Sequence, residues 1–285
     1  MLLPSLSPTR PNPPTEAAKH VMWLSPDRAV YSGLLGQPVG RTFGGYACYF
    51  SLLGPHRIQI GEGPWQECQL SFVPPYLRHN IAADGNTICG LLVEAETVDE
   101  ARLPAFLQRG AGPVVDAHSH RRMRHGMERL LRQMDEGGVT DADVDHAFFG
   151  ERLETPVRDT RVQNTIDRIK AAPRDRVSAL ACAEDICLSE SRFLHLFRRE
   201  VGVPFRQFKA WKRARIFLTY VTQDLRLTDV ALDAGYPDAT HFSHSIRDVY
   251  GLTPRSIVSG SRRLSLFSEG DAATHEGRPA HRSRS

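Results

Sequence analysis

Between Ala29 and about Val98, the chain alternates short apolar runs with glycine and proline. Examples are YACYFSLLG at 46–54, HRIQIG at 56–61 and CQLSFVPP at 68–75. This β-branched and aromatic content, interrupted about every 8–12 residues, predicts a small antiparallel β sandwich or barrel.

Apolar residues take up helical spacing only after about residue 100. Short helices are predicted at 127–134 and 141–149, and a longer one at 157–173. The segment 204–221, PFRQFKAWKRARIFLTYV, has the same period, and Pro204 suits a first helical turn. A helix of about 18 residues there would be roughly 27 Å long at 1.5 Å per residue.

Two segments, 181–197 and 230–246, repeat one pattern of side chains. Each has an alanine, a turn position four residues later, a residue able to cap a helix, and then a phenylalanine. These positions are Ala183, Cys187, Ser189 and Phe193 in the first copy, and Ala231, Gly235, Asp238 and Phe242 in the second.

This order of residues is typical of a helix-turn-helix. A small alanine lets two helices cross at close range, the turn residue must tolerate an unusual backbone, and the capping side chain satisfies free amides of the second helix. One copy alone would fit an ordinary helical hairpin equally well. Two copies in register, with alanines 48 residues apart, predict two helix-turn-helix motifs.

The predicted helix at 204–221 joins the two motifs. Successive major-groove faces on one side of B-DNA are about 34 Å apart. A stiff connector of the predicted length could therefore hold two recognition helices in adjacent major grooves.

Residues 160–258 resemble the AraC/XylS family of bacterial transcription regulators. The most specific part is LTDVALDAGYPDATHFSHSIRDVYGLTP, in which the matching positions are Ala231, Gly235, Tyr236, Phe242, Gly251 and Pro254. Matches in the first half include Phe197, Gly202 and Phe205, and Arg213 lies where the family's connecting helix usually carries an arginine.

The sequence departs from the family pattern at four positions. Cys187 replaces the usual turn glycine, and Ile246 stands where a phenylalanine is common. His195 and His244 occupy positions on the two recognition helices where arginine is frequent. The base preference of relatives therefore does not transfer to this chain.

The resemblance implies an α+β chain, with an N-terminal cupin-like β barrel or sandwich and an all-α C-terminal domain. The expected divisions are a disordered N-terminus at 1–20, a cupin-like sensory or dimerisation domain at 21–105, a helical linker region at 106–156, the DNA-binding domain at 157–260 and a disordered tail at 261–285. The implied function is sequence-specific, DNA-binding regulation of transcription, with the sign of regulation left open.

The partners implied are double-stranded promoter DNA, RNA polymerase if the protein is an activator, a small-molecule effector and a second copy in a homodimer. No cofactor is expected. The other functional classes that fit the chain are a cupin-type enzyme fused to a DNA-binding module, and a protein whose helix-turn-helix units bind another protein.

Side chains near the start of each recognition helix are expected to reach base edges, and arginines nearby to contact phosphates. The residues predicted to contact bases are Ser191, His195, Thr240 and His244. Those predicted to contact phosphates are Arg192, Arg198, Arg199, Arg213 and Arg247. The motif core is expected to comprise Ala183, Phe193, Phe197, Ala231, Gly235, Phe242, Gly251 and Pro254.

Histidines elsewhere give little support for a metal site. FVPPYLRHNI at 72–81 resembles a cupin strand, but only His56 and His79 lie in this region, and a cupin metal site needs about three imidazoles and a carboxylate. HSHRRMRH at 118–125 is interpreted as a solvated linker, with a metal or anion site as the alternative.

Charge is distributed unevenly along the 285 residues, whose net charge is only +3. Residues 1–156 hold 14 Lys and Arg against 18 Asp and Glu, whereas residues 157–263 hold 19 against 12. A basic half joined to an acidic half suggests that one domain meets a polyanion.

Membrane and redox chemistry are not indicated. No run of 18 apolar residues occurs, and the start MLLPSLSPTRPNPP is too proline-rich for a signal peptide. The five cysteines show no zinc-ribbon spacing and are expected to be reduced. These features predict a cytoplasmic protein.

Overall fold

The computed structural model describes residues 20–34, 40–52, 54–83, 87–108, 110–175 and 177–269. The expected disorder at 1–20 therefore lies outside the described residues except for His20, and so does the expected tail beyond residue 269. Within these ranges, no helix combines the length and the apolar character needed to cross a membrane.

The N-terminal part is built of strands, as the alternating pattern predicted. The strands are β1 Val21–Leu24, β2 Arg28–Leu34, β3 Gly45–Phe50, β4 His56–Ile60, β5 Trp65–Cys68, β6 Leu70–Val73, β7 His79–Ala83, β8 Thr87–Glu94, β9 Gly112–Pro113 and β10 Ser265–Ser268. A seven-stranded sheet has the order β10-β1-β2-β8-β3-β6-β9, and a three-stranded sheet has the order β5-β4-β7. All pairs are antiparallel except β1 with β10.

The strands of the large sheet pack against different partners on their two faces, because successive side chains alternate. On β3, Cys48 and Phe50 join a core with two helices, α1 Ala117–Glu136 and α2 Asp141–Phe149. Ala47 and Tyr49 join a second core, which contains the small sheet and part of the C-terminal domain. The helices α1 and α2 therefore belong to the core of the N-terminal domain.

The segment 118–125 was expected to be a solvated linker, and that prediction is wrong. It forms the first turns of α1, which begins ten residues before the helix predicted at 127–134. Met123 in this segment is fully buried against the large sheet. The single methionine among polar residues gave too weak an apolar period to predict the helix from sequence.

The C-terminal domain is helical, as predicted. Its helices are α3 Thr160–Ala171, α4 Ala179–Asp185, α5 Glu190–Val201, α6 Phe205–Ile216, α7 Leu227–Asp233, α8 Ala239–Tyr250 and α9 Pro254–Gly260. Short 3₁₀ turns occupy Ala95–Thr97, Glu100–Arg102 and Phe217–Tyr220.

The connector is shorter as an α-helix than the sequence suggested. The α-helix α6 ends at Ile216, and Phe217–Tyr220 continues it as a 3₁₀ turn. Apolar periodicity alone does not separate an α-turn from a 3₁₀ turn, which explains the error. With the larger rise of the 3₁₀ turn, the two together are about 26 Å long, close to the predicted length.

The prediction of a disordered tail is wrong for Ser265–Ser268. These residues form β10, which pairs in parallel with β1 in the register Val21 to Ser265. Leu266 packs into the core shared with the C-terminal domain, and Phe267 packs into the core shared with α1. A four-residue strand with two apolar residues is too short to be recognised from sequence.

A buried cluster of charges fastens α6 to the end of β8. Trp211 Nε1 donates to Glu94 Oε2 at 2.7 Å, and Arg215 Nε lies 2.8 Å from Glu94 Oε1. Lys212 bridges Glu94 and Glu96. Burial pushes the pKa of Glu94 up, but the charges of Lys212 and Arg215 outweigh burial and hold it below its usual value. The carboxylate therefore stays ionised between the domains.

Candidate nucleic-acid interface

The first helix-turn-helix consists of α4 and α5. Ala183 is fully buried where the two helices meet, and Cys187 has a φ of +54° in the turn between them. Ser189 caps α5 by accepting a hydrogen bond from the amide of Arg192 at 3.4 Å. The turn thus adopts the left-handed conformation that usually selects glycine, although its residue is a cysteine.

The second helix-turn-helix consists of α7 and α8, and the residue in the turn between them must be a glycine. Gly235 has a φ of +77°, and a Cβ added there would lie 2.5 Å from the carbonyl oxygen of Arg174. Asp238 caps α8 by accepting a hydrogen bond from the amide of His241 at 2.8 Å. Conformation and space therefore both exclude a side chain at residue 235.

Aromatic rings fill the interior under each recognition helix. Phe193 and Phe197 of α5 both stack edge-on against Phe205, with ring centroids 5.2 Å apart in each pair. Phe242 of α8 packs against Phe217 at 5.3 Å. The remaining motif-core residues are Ala231 and Pro254, which are buried, and Gly251, which has a φ of +72° as the C-cap of α8.

The four residues predicted to contact bases all lie on solvent-exposed surface. Ser191 and His195 are exposed on α5, and Thr240 and His244 are exposed on α8. Each pair is spaced by four residues, which places its members on one face of the helix. The structure leaves both outer faces free of other described elements for contact with a partner.

The arginines predicted to contact phosphates fall into two groups. Arg192, Arg198 and Arg247 are exposed, and Arg199 is exposed but forms an ion pair with Glu200 at 2.9 Å. Arg213 is half-buried, with its guanidinium carbon 5.6 Å from the centre of the Tyr236 ring. Arg213 therefore lies between the two motifs and is held there by an aromatic face.

A cleft between the two motifs places Arg206, Lys209 and His241, which the sequence analysis did not predict, beside Arg213, which it did. The cleft has a volume of about 460 Å³ and is lined by Arg206, Lys209, Arg213 and His241 among others. The signal was present in the sequence, since residues 206, 209 and 213 are spaced to share one face of α6. Burial lowers the pKa of Lys209, and the nearby charge of Arg213 lowers it further.

The two histidines of the β domain are bonded to neutral protein groups. His56 lies between the hydroxyls of Ser51 and Ser71, and His79 Nε2 is 2.7 Å from the Tyr49 hydroxyl. Burial lowers the pKa of each imidazole to about 4. Across the part of the chain that the structure describes, no group of three or more His, Cys, Asp or Glu is placed to hold a metal ion.

A comparison with known protein families finds a match to the region that contains the two motifs. A family model described as a helix-turn-helix domain matches residues 182–259, which include the connector, the second motif and all of the first motif except its initial residues 179–181. The arabinose operon regulatory protein of Salmonella typhimurium is 28% identical over 172 residues, covering 57% of this chain and 56% of that protein. The Escherichia coli protein of the same name is 28% identical over 116 residues, or 39% of each chain.

The chain thus spans about half the length of the Salmonella relative and 39% of the length of the Escherichia coli relative. Among solved structures, apo ToxT from Vibrio cholerae superposes with a TM-score of 0.55 at 10% identity, over 82% of this chain and 97% of that one. A second ToxT structure gives a TM-score of 0.52 at 9% identity, over 81% of this chain and 96% of that one. At this identity the likeness concerns the fold, and it extends over the β domain as well as the helices.

Proposed function

We propose that the protein is a sequence-specific DNA-binding transcriptional regulator of the AraC/XylS type, on the premise of the helix-turn-helix match over residues 182–259. The observation that carries the proposal is the pair of exposed recognition helices, α5 and α8, on either side of one rigid connector. The net charge of +7 over residues 157–263, from 19 basic and 12 acidic residues, fits a polyanionic partner.

In this proposal, Ser191 and His195 read bases in one major groove, and Thr240 and His244 read bases in the next. The exposed arginines of the two motifs contact phosphates and fix the register, without reading sequence. The cleft between the motifs, with Arg206, Lys209 and Arg213, faces the backbone between the two grooves. The connector, about 26 Å long, is of the same order as the distance of about 34 Å between successive major-groove faces on one side of B-DNA.

The β domain supplies regulation in this proposal. It binds a small-molecule effector or pairs with a second copy of the chain, and activation of a promoter would add a contact with RNA polymerase. The protein works in the cytoplasm, where its DNA target is. In this proposal the protein acts by binding and not by catalysis, because the part of the chain that matches a family model is a helix-turn-helix domain.

The first test is binding of the purified full chain to DNA fragments recovered by genome-wide mapping of its bound sites. Replacing Arg198, Arg199 and Arg247 with glutamine should weaken binding at least 100-fold, because three phosphate contacts are lost. The matched control replaces Arg121, Arg129 and Arg132 on α1 with glutamine; these residues are also exposed, and their replacement removes the same charge. The control should bind DNA like the wild type.

Equal loss in both triple variants would mean that net charge alone drives binding, and no loss in either would leave a protein partner as the target of the motifs.

The cupin-type enzyme is the alternative that the family assignment does not favour. Metal analysis of the purified protein addresses it directly, since a stoichiometric metal ion would revive that reading.

A further inference from the structure

A cavity of about 270 Å³ lies between the large sheet and the C-terminal domain. Its floor is the inner face of the sheet, where Met22, Ile88 and Leu92 supply apolar surface. Its opposite side is closed by Leu218 and by residues from Tyr250 to Ser261. The volume is just below the roughly 300–1,000 Å³ of small-molecule sites, which fits a small and mostly apolar ligand.

Among the described residues that line this cavity, one is charged. Arg41 is only 6% exposed, and its Nε and Nη2 atoms have no hydrogen-bond partner among the described residues. None of the described residues that line the cavity is Asp or Glu. A buried cation is stable only when it is paired, because the loss of its hydration is costly.

The two unpartnered atoms are the ones that recognise a carboxylate. The N–H bonds of Nε and Nη2 point in the same direction on the planar guanidinium, and this pair donates one hydrogen bond to each oxygen of a carboxylate. A point anion would use only part of this geometry. The apolar lining around the guanidinium provides surface for the rest of an organic acid.

The described titratable groups that interact with Arg41 carry no negative charge at neutral pH. The Tyr49 hydroxyl is bonded to His79, and burial lowers the pKa of His79 to about 4, with the charge of Arg41 as a further cause. Burial raises the pKa of Tyr31 and of Tyr49 far above neutrality. The anion that would pair with Arg41 is therefore not supplied by these side chains.

We infer that the cavity binds a small monocarboxylate with an apolar body, whose carboxylate is held by Nε and Nη2 of Arg41. This inference rests on the proposed function, because the ligand would be the effector of the regulator. Tyr250 and Ile257 of the DNA-binding domain contribute to the lining, so an occupant contacts both domains. Binding therefore changes the free energy of docking between the domains, and with it the affinity for DNA.

The binding test uses octanoate and 4-phenylbutyrate as probes on the purified full chain, with octanamide as the uncharged match and inorganic phosphate as a plain anion. Titration calorimetry and thermal unfolding should show binding of at least one carboxylate, at least tenfold tighter than the amide and than phosphate. Equal affinity for the amide, equal affinity for phosphate, or no binding of either carboxylate would overturn the inference.

Two variants and a control locate the site. Arg41→Gln should weaken carboxylate binding at least tenfold. Gly90→Leu should abolish it, because Gly90 lines the cavity and a Cβ there meets only the Tyr49 ring at 3.9 Å, leaving space for the side chain to fill. Arg57→Gln, an exposed site on β4, should bind like the wild type. Unchanged binding in Arg41→Gln and Gly90→Leu would place the ligand elsewhere.

The variant Arg41→Gln also distinguishes a role of Arg41 in binding the ligand from a role in stabilising the fold. Ligand-free Arg41→Gln should unfold at a temperature no lower than that of the wild type, because the substitution removes an unpaired buried charge. A large decrease would mean that Arg41 is a structural residue, and would overturn the inference.

The outcomes for the site and for the proposed function are distinguishable. With a mapped operator, a bound carboxylate should change the affinity of the wild type for DNA at least fivefold. Carboxylate binding without any DNA binding would support the ligand site and contradict the proposal that the protein is a regulator. DNA binding without carboxylate binding would support the proposal that the protein is a regulator and contradict the ligand site.

Discussion

The two helix-turn-helix turns each place one residue in the left-handed region, but only one of those residues is sterically confined. Cys187 and Gly235 have φ values of +54° and +77°. Gly235 alone lies against a neighbouring backbone, at Arg174. A side chain is therefore tolerated in the first turn and excluded from the second, which explains how the cysteine replaces the glycine of the family pattern.

Gly235→Ala should lower the free energy of unfolding by more than Gly202→Ala does. Both glycines have positive φ, and the left-handed conformation costs an alanine about 1–2 kcal/mol. A Cβ at Gly202 meets nothing within 4 Å, whereas at Gly235 it collides with a carbonyl oxygen 2.5 Å away. Chemical denaturation of the two variants measures the difference, and equal losses would contradict the steric account.

On the DNA side, His244→Ala and Arg247→Ala should have different consequences. Loss of the histidine should flatten base preference at one operator position, because only base contacts carry sequence information. Loss of the arginine should weaken binding to all sequences alike and reduce the salt slope by about 1. Affinities for an operator library at several salt concentrations make the distinction. Wild-type behaviour of either variant would remove that residue from the interface.

At the scale of elements, the sequence predicted helices and strands best where several local signals agreed. The period, the caps at Ser189 and Asp238, and the repeated spacing all favoured α5 and α8, and both helices are present. The start of α1 and the strand β10 were missed because the large sheet stabilises them, and no local pattern encodes that contact. The cleft of the proposed interface was missed although its basic residues on α6 show helical spacing.

Two strands of the small sheet begin with buried histidines, which makes stability depend on pH. The pKa values of His56 and His79 are about 4 in the folded chain, below the value of about 6.5 expected when unfolded. The unfolded chain binds more protons in this range, so stability is complete above about pH 6.5 and falls as the pH drops towards 4. Each histidine contributes up to roughly 3 kcal/mol to this loss.

Unfolding of His56→Gln should therefore depend less on pH between 6.5 and 4 than unfolding of the wild type. The exposed His125 on α1 is the site of the control substitution, His125→Gln, which removes a histidine without removing a buried group. Denaturation midpoints across this range give the comparison. An unchanged slope in His56→Gln would show that its burial does not govern its protonation.

At the scale of the whole molecule, the connector serves two domains at once. One face of α6 carries the basic cleft, while Trp211, Lys212 and Arg215 fasten the helix to Glu94 of the β domain. Gly44 permits this docking, because an added Cβ there would lie 2.2 Å from Cγ of Trp211. A change at the β domain thus reaches the element that spaces the recognition helices.

Gly44→Ala should loosen the domain interface without unfolding either domain. Trypsin should then cut faster after Arg152, an exposed residue in the segment between the domains. Gly90→Ala is the matched control, since its Cβ would sit 3.9 Å from the nearest ring atom. Digestion at the wild-type rate in Gly44→Ala would mean that the Trp211 contact does not hold the domains together.

A hydroxyl-radical footprint of the full chain on a mapped operator tests the use of two recognition helices most directly. The expected pattern is two protected stretches on one face of the duplex, about 10 base pairs apart. Ser191→Ala with His195→Ala should erase one stretch, and Thr240→Ala with His244→Ala should erase the other. A single protected stretch, or one that survives both double variants, would contradict the account.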